Sequence, residues 1–238
     1  MAAANPAIFP DAGIAVARCA NAFLSVTCGT NGMNGRGGHG HNDKLGFELH
    51  IGGSDFVVDG GCPAYTADCV MRNRYRSTRM HSTVSVDDME QDPLPRGMNG
   101  LFLLPQTCRP KLWITPARHI AGEHSGFGAV HRRLFRLGSA ALEIDDTLET
   151  SEGVESRMHF NFDPEIRCTV LATDGDIVAC ELRHSCGKVV RLEVSGGRTP
   201  MIDAGSFSIA FGVPVPNQRL SVMRTRTNTT ARFSWSES

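Results

Sequence analysis

The sequence predicts an all-β protein, a large two-layer antiparallel β-sandwich with little or no helix. Two observations carry this expectation. The apolar residues fall in short runs of four to seven rather than in long helical periods. Those runs are broken by many of the 25 glycines and 12 prolines, which leave long helices little room. A chain of 238 residues with 41% hydrophobic content can bury a sizeable core, so residues 1–238 are expected to form one large β domain.

The segments Gly13–Val16, Ala22–Thr27, Leu45–Ile51, Phe56–Asp59 and Thr83–Val86 are β-branched or alternating and are bounded by turn formers. Leu45–Ile51 and Phe56–Asp59 flank Gly52-Gly53-Ser54-Asp55, residues that tolerate the positive φ values of a hairpin loop. From Asp88 to Pro110 a proline- and glycine-rich excursion surrounds one expected short strand, Leu101–Leu104. Strand signals resume at Ala129–Leu137, Ala141–Leu148, Ser156–Phe162, Cys168–Ala172, Ile177–Arg183, Val189–Val194, Phe207–Val213 and Ala231–Trp235. No repeat, low-complexity tract or charge block marks an internal boundary.

Net charge is −1, so the chain offers no overall basic field to gather nucleic acid or an anionic polymer, and any grip on an acidic ligand must be local. No stretch approaches the roughly 20 apolar residues of a membrane span. Met1–Ala20 lacks the charged start and continuous apolar segment of a secretory signal. The eight cysteines include no CxxC pair and mostly sit in apolar runs, which favours reduced thiols, although Cys62 with Cys69 or Cys180 with Cys186 could bridge neighbouring strands.

The stretch Arg36-Gly37-Gly38-His39-Gly40-His41-Asn42-Asp43 is the most informative. In an extended backbone, residues two apart face the same way, so His39 and His41 would present both imidazoles to one site. Asp59 ends the strand antiparallel to the one that His41 precedes, and hairpin pairing brings the two together. His81 follows immediately before the alternation of Val84 and Val86. Two imidazoles and a carboxylate form a common zinc set, with a position left open for water or substrate. Spacing alone leaves both metal binding and a hydrogen-bonded polar cluster open.

Three ordered blocks, GGHGHNDKLGFEL, FVVDGG and RNRYRSTRMHSTVSVD, resemble the core of the heparinase II/III-like C-terminal domain. The likeness is strong over residues 36–91 and looser afterwards, where His131-Arg132-Arg133 with Leu142–Asp146, and Phe207–Pro214, are similar to later family features. The resemblance implies a β-sandwich that follows an α/α toroid, cleavage of uronate-containing polysaccharide by β-elimination, and zinc held by His41, Asp59 and His81. It places His39 at the catalytic cleft, near substrate rather than on the metal. Gly60 stands where the family usually has proline and Ser82 where it usually has asparagine, which puts a turn and a hydrogen bond beside the metal ligands in doubt. Family members are commonly exported to the periplasm or cell envelope.

β-Elimination needs a base, a partner for the uronate carboxylate and an acid for the leaving oxygen. In the family, residues of the toroid supply most of these, and no helical segment here could form one. The chain alone is therefore expected to be incomplete for catalysis. Arg72, Arg74 and Arg76 alternate as if along one strand face, where they could pair with sugar carboxylates or simply protect a solvated edge. Tyr65 and Tyr75 could donate a phenolic proton, although tyrosine between strands more often packs; Tyr75 is grouped with the arginines as a substrate contact. His50, His119, His124, His131, His159 and His184 lack ligand spacing, with His124, in a glycine-flanked loop, the exception to watch. The leading function is a lyase component acting on acidic polysaccharide. A non-catalytic carbohydrate-binding or envelope-assembly module is the alternative, and a zinc hydrolase is a weaker third.

Overall fold

The computed structural model describes residues 5–236. Among these described residues seventeen strands, numbered in chain order, make the protein about 50% strand against 8% helix, as the all-β expectation requires. β1 (Ala7–Phe9), β2 (Ile14–Arg18), β3 (Ala22–Thr27), β4 (Gly46–Ile51) and β5 (Ser54–Val57) form a five-stranded antiparallel meander. β6 (Val84–Val86), β11 (Ser156–Asn161), β15 (Gly197–Ala210) and β16 (Val213–Arg224) form a four-stranded sheet in the order β15-β16-β11-β6. The remaining strands are β7 (Lys111–Ile114), β8 (Ile120–His124), β9 (His131–Leu137), β10 (Ala141–Thr147), β12 (Ile166–Asp174), β13 (Ile177–His184), β14 (Val189–Ser195) and β17 (Asn228–Trp235). They build an eight-stranded antiparallel sheet in the order β12-β13-β14-β17-β10-β9-β8-β7.

One contiguous apolar cluster draws on all three sheets. The two-residue period of a strand sends alternate side chains inward, so Leu24, Val26, Phe47 and Leu49 meet Phe135, Leu142, Ile144, Leu192 and Phe233 together with Met158, Phe160, Leu220 and Val222. Phe47 on β4 makes edge-on contacts with Phe135 on β9, Phe160 on β11 and Phe233 on β17, at centroid distances of 5.8, 6.4 and 6.0 Å. It therefore marks the place where the sheets converge.

Two charged residues share this interior. Arg133 and Asp146 are direct cross-strand partners on β9 and β10 and both occupy core-facing positions. The guanidinium binds both carboxylate oxygens, Nε to Oδ1 at 2.7 Å and Nη2 to Oδ2 at 2.8 Å. His131 reaches Oδ1 through Nε2 at 2.6 Å. The remaining terminal nitrogen of Arg133 donates to the carbonyls of Leu45 and Ser82, at 2.8 and 2.9 Å. Leu45 is a buried non-glycine residue at φ 61°, a conformation that costs L-residues about 1–2 kcal/mol and needs outside support.

Several expectations are corrected. Cys69–Tyr75 is an α-helix, α1, capped by Asp68, whose carboxylate accepts from the Met71 amide at 2.8 Å. The short strand expected at Leu101–Leu104 is replaced by a 3-10 turn over Met98–Phe102. Phe207–Val213 spans the tip between β15 and β16 rather than one strand. His124 ends β8 and is buried against His131 instead of lying in an open loop. The alternative of a Cys62–Cys69 or Cys180–Cys186 bridge is not realised, and all eight cysteines are free, as the favoured reading of reduced thiols expects.

Asp146→Ala leaves Arg133 buried without its counter-charge and His131 without its hydrogen-bond acceptor. Urea denaturation should show a loss of about 3–5 kcal/mol, the usual cost of breaking a buried ion pair from one side.

Candidate metal centre

Three chain segments bring His41, Asp59 and His81 together. His41 lies in the loop before β4, Asp59 two residues beyond the end of β5, and His81 caps a 3-10 turn over Thr78–Met80 just ahead of β6. One ligand atom from each lies within 4.8 Å of the other two. His81 Nδ1 is 2.5 Å from Asp59 Oδ2, and the two imidazole rings are 5.3 Å apart.

Each ligand is braced. Gly61, at φ +74°, turns the chain so that its amide donates to Asp59 Oδ1 at 2.9 Å, a conformation for which glycine carries no steric penalty. The Asn42 amide donates to the Arg76 carbonyl at 2.9 Å, and the Asn42 side chain binds the Glu90 carboxylate and both backbone groups of Asp92. Glu90 also accepts from Ser77 Oγ, Thr78 N and Thr78 Oγ1, at 2.5, 2.7 and 2.8 Å. This one carboxylate thus ties the His41 loop to the His81 turn. Ser82, where the resemblance raised doubt, keeps a hydrogen bond, its Oγ accepting from the Asn161 amide at 3.0 Å.

Burial, followed by the charge of neighbouring His81, lowers the His41 pKa to about 3, so its imidazole is neutral; its single acceptor lone pair is engaged here by Arg72, which a bound cation would displace. Burial alone would raise Asp59, but His81 outweighs it through charge and hydrogen bonding, and the carboxyl titrates at about 2. Burial works to lower His81, and Asp59 more than reverses that, so His81 is raised. Its Nε2 is fully buried with no hydrogen-bond partner. An orphaned imidazole nitrogen beside a neutral imidazole and an ionised carboxylate is a donor set that fits a divalent cation.

The arginines change place. A helix brings residues four apart to the same face, so Arg72 and Arg76 point inward and are buried, while Arg74 on the opposite side is exposed. The shared strand face expected for the three is therefore absent. Arg72 Nη1 donates to His41 Nε2 at 2.7 Å, and Arg76 binds the carbonyls of Gly100, Leu101 and Leu103. Tyr75 is also buried, its hydroxyl donating to Ser206 Oγ. His39 sits in a turn rather than in an extended strand, yet it lines, with His41, Asp43 and Lys44, a cleft of about 330 Å³.

Tyr65, weighed in the sequence mainly as packing, stands at this rim. Its hydroxyl is 3.2 Å from His39 Nδ1, its ring stacks between Phe102 and Phe211, and the Arg72 guanidinium lies 5.0 Å above its centroid. Asp43 and Glu90 were also not singled out as site residues. Asp43 stands two positions from His41 and faces the same cleft, a sequence cue that was available. Glu90 had none, because its role arises from the folding back of a loop.

The fold and site define a β-sandwich with a candidate metal centre at one loop cluster. The chain belongs to the heparinase II/III-like family, matching its C-terminal domain over residues 1–236. Among solved structures it is similar to heparan sulfate lyase HepC from Pedobacter heparinus, at 15% identity and a TM-score of 0.72, over 98% of this chain and 37% of that one. Heparinase III gives 18% identity, the same TM-score and the same coverage. A 4-alpha-glucanotransferase from Thermococcus litoralis shares the fold more distantly, with 9% identity and a TM-score of 0.55, over 98% of this chain and 39% of that one. Comparison with curated proteins returns no match. The chain spans just over a third of the length of the solved lyases it resembles.

Glu90→Ala removes the acceptor shared by both ligand segments. Since each buried donor left unsatisfied costs about 1–3 kcal/mol, denaturant titration should show a loss on the order of 3 kcal/mol, while Arg74→Ala, on the exposed side of α1, should leave stability within about 0.5 kcal/mol.

Proposed function

We propose that this chain is the C-terminal β domain of a polysaccharide lyase that cleaves uronate-containing acidic polysaccharide by β-elimination, supplying a metal-braced wall of the cleft. The observation that supports this reading most is the convergence of His41, Asp59 and His81 beside the exposed His39, in a chain that matches the family over residues 1–236. His41, Asp59 and His81 would hold the cation, and two imidazoles with one carboxylate suit zinc. When bound, the ion would supply a fixed positive charge and a cross-link between three loops, and its binding would release a proton from His81 to solvent.

The other residues act as side chains in their own right. Burial, followed by the neighbouring Cys62, raises the Tyr65 pKa, so its phenol keeps its proton and can donate it toward a leaving oxygen. His39, in hydrogen-bond reach of that hydroxyl, orients it and is exposed to substrate. The phenylalanines on either side of Tyr65 hold the ring in place and offer an apolar surface on which a sugar ring can rest. Arg74 is the member of the arginine set free to meet a sugar carboxylate. General acid or base catalysis by a positioned group contributes typically ~10²–10⁴-fold, less than the abstraction of so weakly acidic a proton demands. The remaining groups belong to a partner toroid.

Incubating the 238-residue protein with heparan sulfate, alginate and hyaluronate, and following the ultraviolet absorbance of the unsaturated product, should show little or no turnover. A longer protein that includes a helical toroid should be active and should lose about 10²-fold or more on His39→Ala, within the range of positioned acid–base groups. Robust turnover by the chain alone would mean that the catalytic groups lie elsewhere in it. New reducing ends without the chromophore would indicate hydrolysis, and binding without either product would indicate a carbohydrate-binding module.

The metal is tested separately. Protein purified without chelator should contain stoichiometric zinc and melt at a lower temperature once stripped, because a ligand held only by the native state stabilises it. Asp59→Ala should melt at the same temperature with and without chelator. Equal melting of the unaltered protein under both conditions would remove the structural role of the ion.

A further inference from the structure

On the face of the four-stranded sheet turned away from the core lies a second polar cleft, of about 330 Å³, that the proposed reaction does not use. Its floor is built from strand residues in register. His159 on β11 is the direct partner of Ser221 on β16, which in turn pairs with Met201 on β15, and Arg157 on β11 pairs with Ser85 on β6. Ser85, His159 and Ser221 are each only 4% exposed. Arg157 and Arg219 form the walls, their side chains 18% and 20% exposed, and Arg79 stands at the rim.

Three buried polar atoms in this cleft lack any hydrogen-bond partner: Arg157 Nη1, His159 Nδ1 and Arg219 Nε. Among the described residues seven such side-chain atoms exist, and these three belong to residues that line one cavity. The other nitrogen of His159 is engaged, with Nε2 2.8 Å from Ser85 Oγ. When Ser85 donates there, the Nδ1 of the neutral ring carries the proton and, like the two guanidinium nitrogens, is a buried donor without a partner. Burial, then the charges of Arg219, Arg79 and Arg157, lowers the His159 pKa to about 3, so its ring is neutral.

The carboxylates that also line the cleft are committed. Glu155 accepts from Arg157 Nε at 2.6 Å, Asp203 lies 3.6 Å from Arg219 Nη2, and Asp87 Oδ1 accepts from the Glu155 amide at 2.9 Å. Glu155 and Asp203 hold the Arg157 and Arg219 guanidinium groups without reaching the orphaned nitrogens. A buried donor without an acceptor is costly, and a complementary acceptor removes that cost.

We propose that this cleft binds an oxyanion of the sulfate or carboxylate class, received by Arg157 Nη1, Arg219 Nε and His159 Nδ1 with help from the Ser221 hydroxyl. The assignment of that oxyanion to an acidic glycan rests on the lyase reading; the oxyanion site itself does not. It lies behind the metal centre, since Arg219 Nη1 donates to the Arg79 carbonyl at 2.9 Å and Asn161 on β11 binds the Met80 carbonyl, one residue ahead of His81. A polymer held there would be anchored on the domain at a second point, away from the His39 rim.

Isothermal titration of the intact 238-residue protein with sodium sulfate, and separately with a sulfated heparan oligosaccharide, tests this. Each charge-assisted hydrogen bond contributes enough that Arg157→Gln or Arg219→Gln should weaken sulfate binding at least about tenfold. Ser221→Ala, which leaves every charge in place, should weaken it by a smaller factor, and the imidazole resonances of His159 should shift on saturation. Binding should persist in Asp59→Ala and after chelation, so failure of the metal reading leaves this result intact. Sulfate and oligosaccharide competing for the site establishes a glycan anchor, whereas sulfate alone responding to the arginine variants establishes a site for a free anion and removes the glycan assignment. No saturable sulfate binding, or binding unchanged in both arginine variants while their melting temperatures match the unaltered protein, overturns the proposal.

Discussion

The Arg133–Asp146 pair is the constraint on which the candidate site depends. A charge pair in a protein interior gains little net stability when complete and costs several kcal/mol when broken. Its value here is positional. One guanidinium edge is saturated by Asp146, and the other holds the carbonyls of Leu45 and Ser82, which lie four residues beyond His41 and one beyond His81. Two ligand-bearing segments, distant in sequence, are thereby referred to the same strand pair in the eight-stranded sheet. The guanidinium also lies 5.9 Å from the ring centre of Phe47 and 5.8 Å from that of Phe135, at the aromatic junction where the sheets meet. The polar clamp and the apolar core thus share one origin.

Around that origin the loops are fastened by carboxylates as well as by buried apolar residues such as Leu101 and Leu104. Glu90 joins the His41 and His81 segments. Asp92 accepts from the Asn31 side chain and from the Thr107 and Cys108 amides, and forms an ion pair with buried Lys44 at 3.2 Å. The excursion from Asp88 to Pro110 is therefore an internal strut. Such a network is stable only if every member is satisfied, because a half-satisfied polar group in a low-dielectric interior is costly. The cleft with His39 and Tyr65 sits at the open edge of this scaffold, where rigid support and solvent access coincide.

Much of this was legible in the sequence. The β4–β5 hairpin is announced by Gly52-Gly53 between alternating strands, and the clustering of His41, Asp59 and His81 agrees with the hairpin and the ordered blocks. The α1 helix was hidden because seven residues are too few for a 3.6-residue period to stand out from alternation, although Asp68 offered a capping signal. The same ambiguity misplaced Arg72, Arg74 and Arg76: alternation reads as one face in a strand and as two in a helix. The long β15–β16 hairpin was obscured by Pro214 and Pro216, residues that sheets accept where no further strand needs their amide; β11 pairs with β16 only over Arg219–Met223. Tyr65 beside His39, and Glu90 beneath both ligand segments, are products of loop folding that no local pattern encodes.

The central claim, that His41, Asp59 and His81 form a metal centre, is tested most directly by X-ray absorption spectroscopy at the zinc edge on protein loaded with one equivalent of zinc. The account expects a first shell of nitrogen and oxygen only, at about 2.0–2.2 Å, with the outer-shell scattering of two imidazoles, and loss of that signature in His81→Ala. A first shell containing sulfur at about 2.3 Å would place the ion on the free cysteines instead. That result, or a spectrum unchanged by His81→Ala, would contradict the assignment.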